Sequence, residues 1–199
     1  MVKVCLFVTG GSDEIETASC YGVFTRAKTP IDTVYVCEEN KERLVNMLCG
    51  IRLYADRSLS EFQSAEDFMK EYDVVIIPGG WGGSLERSIP GTKMVQEIVR
   101  GMYKKPGKWV AMICAGSMGV MTSGLDPKTL ELTSHACVID VLRNAGYNWV
   151  DEPVVVSNNL ITAQGPGTSM LFALKIAEQV LDKETYQQVY ASLEMPQRN

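Results

Sequence analysis

The run Val74-Val75-Ile76-Ile77 constrains the fold more than any other stretch of the chain. Four consecutive β-branched residues leave no polar face, so a strand built from them needs apolar cover on both sides. A parallel sheet with helices packed on both faces provides that cover. The run stops at Pro78-Gly79-Gly80-Trp81-Gly82-Gly83, where proline withdraws a backbone donor and glycine permits a tight loop. In sheets of this kind the functional site lies at the carboxyl ends of the strands, which makes this loop a first candidate.

The remaining chain keeps the same alternation. Val2–Val8 is apolar and reads as a first strand, and Thr9-Gly10-Gly11-Ser12 turns the chain. Asp13 is placed to cap a helix running to about Arg26, with Ile15, Ala18, Tyr21 and Val23 as its apolar positions. Ile31–Cys37 predicts a second strand, residues 38–57 a charged loop and a β-hairpin turning at Cys49-Gly50, and Ser64–Tyr72 a short helix. Helices are expected over about Thr92–Tyr103, Ala115–Thr122 and Ala136–Asn144, then a long one ending at Leu181 and a last one over about 184–193. Further strands fall at Trp109–Ile113, near Thr129–Thr133, and at Val154–Val156 and Leu160–Thr162. The pattern predicts an α/β sandwich of three layers, mostly parallel in its sheet and with right-handed crossovers, as one domain over 1–199.

Composition removes several function classes. A net charge of −5 provides no basic footprint for nucleic acid or an anionic membrane. No apolar run has the length of a membrane span and the first strand is too short for a leader, so the expected location is the cytoplasm, with the nucleus also open to the protein. The six cysteines (5, 20, 37, 49, 114 and 137) show no metal-ligand spacing, and with one histidine no metal is expected. They read as reduced thiols rather than a disulfide framework. Neither Gly10-Gly11 nor Gly79–Gly83 fits a dinucleotide or P-loop pattern, so no cofactor is expected.

The chemistry-bearing stretch is Trp109-Val110-Ala111-Met112-Ile113-Cys114-Ala115-Gly116-Ser117-Met118-Gly119. A buried strand ends on a cysteine, and small residues follow where the chain must turn into a helix; this is how an α/β fold presents a nucleophile. A helix starting at Ala115 would aim its positive end at the sulfur and favour thiolate. The competing reading is a small buried hydrophobe. Glu16, on a small and weakly polar helix face, is expected to turn inward, with desolvation raising its pKa, and then to donate a hydrogen bond to the Cys114 thiolate. His135, the only histidine, follows a strand and can reach the same edge. Gly79 and Gly80 offer backbone amides to a developing oxyanion, with the Ala115 amide as a second donor.

Gly11-Ser12-Asp13-Glu14-Ile15-Glu16-Thr17, Ile77-Pro78-Gly79-Gly80, Ile113-Cys114-Ala115-Gly116, Ser134-His135 and Gly165-Pro166-Gly167-Thr168 fall in an order and spacing that resembles the DJ-1 family of the ThiJ/PfpI superfamily, in its fungal-like glyoxalase and deglycase branch. The resemblance spans almost the whole chain, including the final helix. It implies a flavodoxin-like fold and a homodimer. It also implies a nucleophilic Cys114 hydrogen-bonded by Glu16, His135 nearby, and an oxyanion hole at Gly80 and Ala115. The implied activity is cofactor-free conversion of methylglyoxal or glyoxal, with deglycation of proteins beside it; a non-catalytic redox-sensing stress protein or chaperone, acting through oxidation of Cys114, is the alternative. Peptidase members carry histidine directly after the cysteine, and Ala115 departs from them. Trp81 is bulkier than the usual family residue and is expected to shape the pocket. Ala136 stands where many relatives have proline, and Gln164 and Cys49 where animal relatives have arginines.

Overall fold

A computed structural model describes residues 2–36, 43–80 and 88–195. Strands β1 (Val4–Val8), β2 (Ile31–Tyr35), β5 (Arg57–Ser58), β6 (Val74–Ile77), β7 (Trp109–Ile113), β10 (Val154–Ser157) and β11 (Leu160–Ala163) form one seven-stranded sheet in the order β10-β11-β7-β6-β1-β2-β5. All pairs are parallel except β10 with β11. The helices are α1 (Glu14–Arg26), α2 (Ala65–Glu71), α3 (Lys93–Met102), α4 (Gly119–Thr122), α5 (Ile139–Asn144), α6 (Ser169–Val180) and α7 (Lys183–Ser192). None is long and apolar enough to cross a membrane, and the described residues contain no cluster of three or more metal-ligating side chains.

The period-two geometry of strands divides the core in two. Cys5, Phe7, Val75, Ile77, Val110 and Met112 point to the face covered by α2 and α3, where Phe68, Ile98, Val99 and Met102 meet them. Val4, Leu6, Val74, Ile76, Ala111 and Ile113 point to the other face, against Cys20, Val23 and Phe24 of α1 and Phe172, Ile176 and Ala177 of α6. The β-branched run that demanded cover on both sides has it. Polar side chains start the helices: Asp13 accepts the Ile15 and Glu16 amides, Ser64 caps α2 and Asp182 caps α7.

Four local expectations change. On α1 the residues expected to be apolar contacts, Ile15, Ala18 and Tyr21, face solvent, and the buried side is Glu16, Thr17, Cys20, Val23 and Phe24. The loop after β6 sets this rotation, because the Gly79 carbonyl accepts the Asp13 amide while the Gly79 amide donates to Glu16. The helix expected over Ala115–Thr122 is a 3₁₀ turn, Cys114–Met118, followed by the single turn of α4. The strand near Thr129–Thr133 shortens to β8 (Glu131–Leu132), which pairs with an unanticipated β9 (Asn148–Trp149) outside the main sheet. The hairpin is present as β3 (Leu44–Asn46) and β4 (Arg52–Tyr54), and β5 after it adds an edge strand that the charged sequence did not reveal.

Candidate active site

β7 carries Cys114 to the carboxyl edge of the sheet and releases it at a φ of +61°. A residue with a Cβ is costly in this left-handed region, so the surrounding contacts must hold it there. Gly79 permits the closest of them: a Cβ on Gly79 would stand 2.5 Å from the Cys114 Cβ and 2.8 Å from its Sγ. Gly80 has a φ of +122° and pairs with Ser12 in a single antiparallel bridge, where a side chain would run into the Gly11 carbonyl oxygen. The elbow is therefore pressed against the loop after β6, which packs in turn on the loop after β1.

Burial, Glu16, the Ala115 amide and, least, Cys137 act on the sulfur's ionisation. Burial pushes the Cys114 thiol well up, and the negative charge of Glu16 adds to it. The Ala115 N–H, hydrogen-bonded to the sulfur, pulls the other way. This differs from the expectation of a thiolate favoured by a helix end: the 3₁₀ turn replaces the helix, and one amide replaces the dipole.

Glu16 is fully buried and one of its oxygens, Oε2, accepts the Gly79 N–H at 2.5 Å. The other, Oε1, has no nitrogen or oxygen partner among the described residues. Burial raises the carboxyl to about 7, and hydrogen bonds from Gly79 and Cys114 restrain the rise. Two neighbouring acids inside the fold repel each other once both are ionised, so thiol and carboxyl together hold a proton at neutral pH. With the proton on sulfur the carboxylate holds the thiol up. With the proton on Glu16 that repulsion vanishes, and the Ala115 amide faces a thiolate.

His135 is exposed and its Nδ1 accepts the Cys137 N–H at 3.2 Å, which leaves Nε2 as the nitrogen that can donate. Its backbone N–H reaches the Cys114 carbonyl at 3.5 Å. Gly165 is the spacer between ring and sulfur, since a Cβ there would lie 3.2 Å from His135 Cδ2 and 3.9 Å from Cys114 Sγ. Gln164 is bonded to Asp151, and Cys49 is exposed at the hairpin turn. Ala136 opens the 3₁₀ turn Ala136–Val138 that carries Cys137. Trp81 lies outside the described residues.

A cavity of ≈ 170 Å³ opens beside this centre, bordered by Gly79, Gly80, Ala115 and Cys137. Cys114 thus meets Glu16, Gly79 and Ala115, Gly80 borders the adjoining space, and Gly165 separates the sulfur from His135. Two residues escaped the sequence reading. Glu14 accepts the Cys49 and Ile51 amides and ties the hairpin to α1, though it reads as an ordinary first-turn acid. Cys137 shares the cavity wall, and only its place two residues after His135 hinted at this. All five described cysteines are free.

The sequence profile of the DJ-1/PfpI family matches residues 2–179. The chain is 53% identical over 196 residues to a protein of Schizosaccharomyces pombe named glutathione-independent glyoxalase DJ-1, covering 98% of this chain and 100% of that one. It is 34% identical over 129 residues to glutathione-independent glyoxalase DJR-1.2 of Caenorhabditis elegans, covering 65% of this chain and 63% of that one. The solved structure of Schizosaccharomyces pombe DJ-1 superposes with a TM-score of 0.93 at 51% identity, over 98% of this chain and 100% of that one.

Proposed function

The chain belongs to the DJ-1/PfpI family and has its flavodoxin-like fold, and we propose that it is a glutathione-independent glyoxalase that converts methylglyoxal to lactate at Cys114. The observation that carries this reading is the contact between a thiol on a strained elbow and a buried carboxyl raised to about 7. Such a carboxyl exchanges a proton near neutrality, which suits a reaction consisting largely of proton movements.

Glu16 takes the thiol proton as the sulfur attacks the aldehyde carbon of methylglyoxal, forming a C–S bond and an alkoxide. The Ala115 and Gly80 amides stabilise that oxygen. Gly79 keeps Glu16 Oε2 fixed, leaving Oε1 to work on the substrate. Glu16 then passes the thiol proton to that oxygen, giving the hemithioacetal, and the carboxylate so restored moves the proton from the former aldehyde carbon, by way of an enediol, to the neighbouring carbon. The aldehyde carbon is thereby oxidised and the keto carbon reduced, with no external redox partner. Water then cleaves the resulting thioester, releasing lactate and restoring the thiol. His135, holding a proton on Nε2, acts as an auxiliary donor to substrate oxygen rather than as the first base.

The same attack on a hemithioacetal or aminocarbinol constitutes deglycation, which we include in the reading. We also read the chain as one domain, with α7 packed on α1 and α6, and as a homodimer joined through the exposed apolar side of α1 and the hairpin. The primary test gives methylglyoxal without glutathione to the wild type, Cys114→Ala and Glu16→Gln, and measures lactate. The wild type produces lactate, Cys114→Ala produces none, and Glu16→Gln is slower by about 10²–10⁴-fold. A folded wild type that forms no lactate ends the proposal.

A further inference from the structure

We propose that Trp149 and Ser134 are positioning residues for His135, and that they set the direction in which its ring offers a proton to the substrate. This rests on the glyoxalase reading, in which His135 is the auxiliary donor. The histidine needs a hold from outside the main sheet. The strand before it, β8, does not belong to that sheet and is two residues long, and His135 itself is exposed.

β9 supplies the hold. It pairs with β8 in the register Leu132↔Trp149, and the Val150 N–H donates to the Leu132 carbonyl at 2.9 Å. From this strand the Trp149 indole N–H donates to Ser134 Oγ at 3.1 Å, and the Ser134 hydroxyl donates to the His135 carbonyl at 3.3 Å. The direction of the chain is fixed, because an indole nitrogen only donates and a hydroxyl has a single proton to give. Ser134 is 1% exposed, so water does not compete for either bond. The Arg143 guanidinium lies over the half-buried Trp149 ring, 4.7 Å from its centre, and steadies the indole.

His135 is thereby held along its length. Its amide meets the Cys114 carbonyl, its carbonyl takes the Ser134 hydroxyl as well as the Val138 amide, and its Nδ1 takes the Cys137 amide. Nε2 is the nitrogen left to donate. Trp149 borders a separate cleft with Ser134, His135 and Gly165 rather than the cavity beside Cys114. Its influence on the reaction therefore runs through the histidine, where a displacement of about 1 Å can cost on the order of 10²-fold in rate.

His135 is the only histidine of the chain, so ¹⁵N-histidine labelling reads this ring alone. At pH 8 the wild type is expected to show one tautomer, with the proton on Nε2. Trp149→Phe keeps a ring for Arg143 but has no N–H, and Ser134→Ala removes the link itself. Both are expected to move the nitrogen signals toward the tautomer mixture of free imidazole. Both also lower kcat for methylglyoxal on the order of tenfold, with KM kept within about twofold. Ser134→Thr keeps the hydroxyl and retains signals and rate. In a His135→Ala background neither Trp149→Phe nor Ser134→Ala slows the remaining reaction further. Unmoved nitrogen signals or an unchanged kcat overturns the proposal, and so does an equal loss of rate in the His135→Ala background. The two variants cut the same link from its two ends, so an unfolded one leaves the other to decide. A wild type that forms no lactate ends the glyoxalase reading, and the nitrogen signals then decide the positioning of the ring by themselves.

Discussion

Glu16 sets chemistry against stability. The fold holds this carboxyl at about 7 against an ordinary value of 4.5, chiefly by burial. Between those two values the folded chain binds more protons than the unfolded one, so stability falls as pH rises through the window and the cost is complete above it. Glu16→Gln removes the charge while keeping an oxygen for the Gly79 amide. Denaturation at pH 8 is expected to show the variant more stable than the wild type by up to about 3 kcal/mol, with little difference at pH 4. The same variant loses most of its lactate production. Equal stability at pH 8 would mean that the carboxyl is not desolvated as the geometry requires. Gly79 is the complementary case. Gly79→Ala places a methyl group inside the contact radius of Cys114 Cβ and Sγ, so the elbow or the loop must shift. The expected result is a loss of about 1–3 kcal/mol in stability together with lactate production, read by melting and by assay.

At the scale of elements, the site depends on how α1 is held. Its amino end is fixed from two sides: by the loop after β6 through Asp13 and Glu16, and by the hairpin through Glu14. Burial works to raise the Glu14 carboxyl, but its own amide and those of Cys49 and Ile51 outweigh this and hold it below the usual range. Glu14→Ala is therefore expected to release the hairpin tip, with amide exchange at Cys49 and Ile51 at least about tenfold faster and exchange in β6 and β7 unchanged. Unchanged exchange at the tip would mean that β3–β4 pairing alone holds it. The strands and the Cys114 elbow were legible in the sequence, because continuous apolar runs and small residues after a strand carry their own signal. The inward turn of Glu16 was legible too, from the small residues beside it. The rotation of α1 was not: Ile15, Ala18 and Tyr21 looked like the core face, and only the tertiary bonds to Gly79 decide otherwise. The 3₁₀ turn after Cys114 was hidden for a similar reason, since the left-handed φ of Cys114 is imposed by its neighbours.

At the scale of the molecule, the misjudged face of α1 carries the last consequence. Ile15 is 57% exposed, and Leu48, Ile51 and Tyr54 of the hairpin are 48%, 58% and 71% exposed. Leu48 donates to the Ser12 carbonyl and Ile51 to Glu14, so the hairpin tip and the start of α1 form one surface. Large apolar side chains gathered in this way mark an association surface more often than a solvated one. A stable contact buries about 800 Å² on each partner, with apolar anchors near its centre. Symmetry is the economical arrangement for a second copy, because the same patch then serves both sides. The wild type is expected to sediment as a dimer at micromolar concentration. Leu48→Asp combined with Ile51→Asp places two charges in the patch without touching the sheet, and is expected to sediment as a monomer with its far-ultraviolet circular dichroism intact. A wild type that sediments as a single chain refutes the dimer. A double variant that remains dimeric moves the interface away from the hairpin and leaves the exposed face of α1 to another partner.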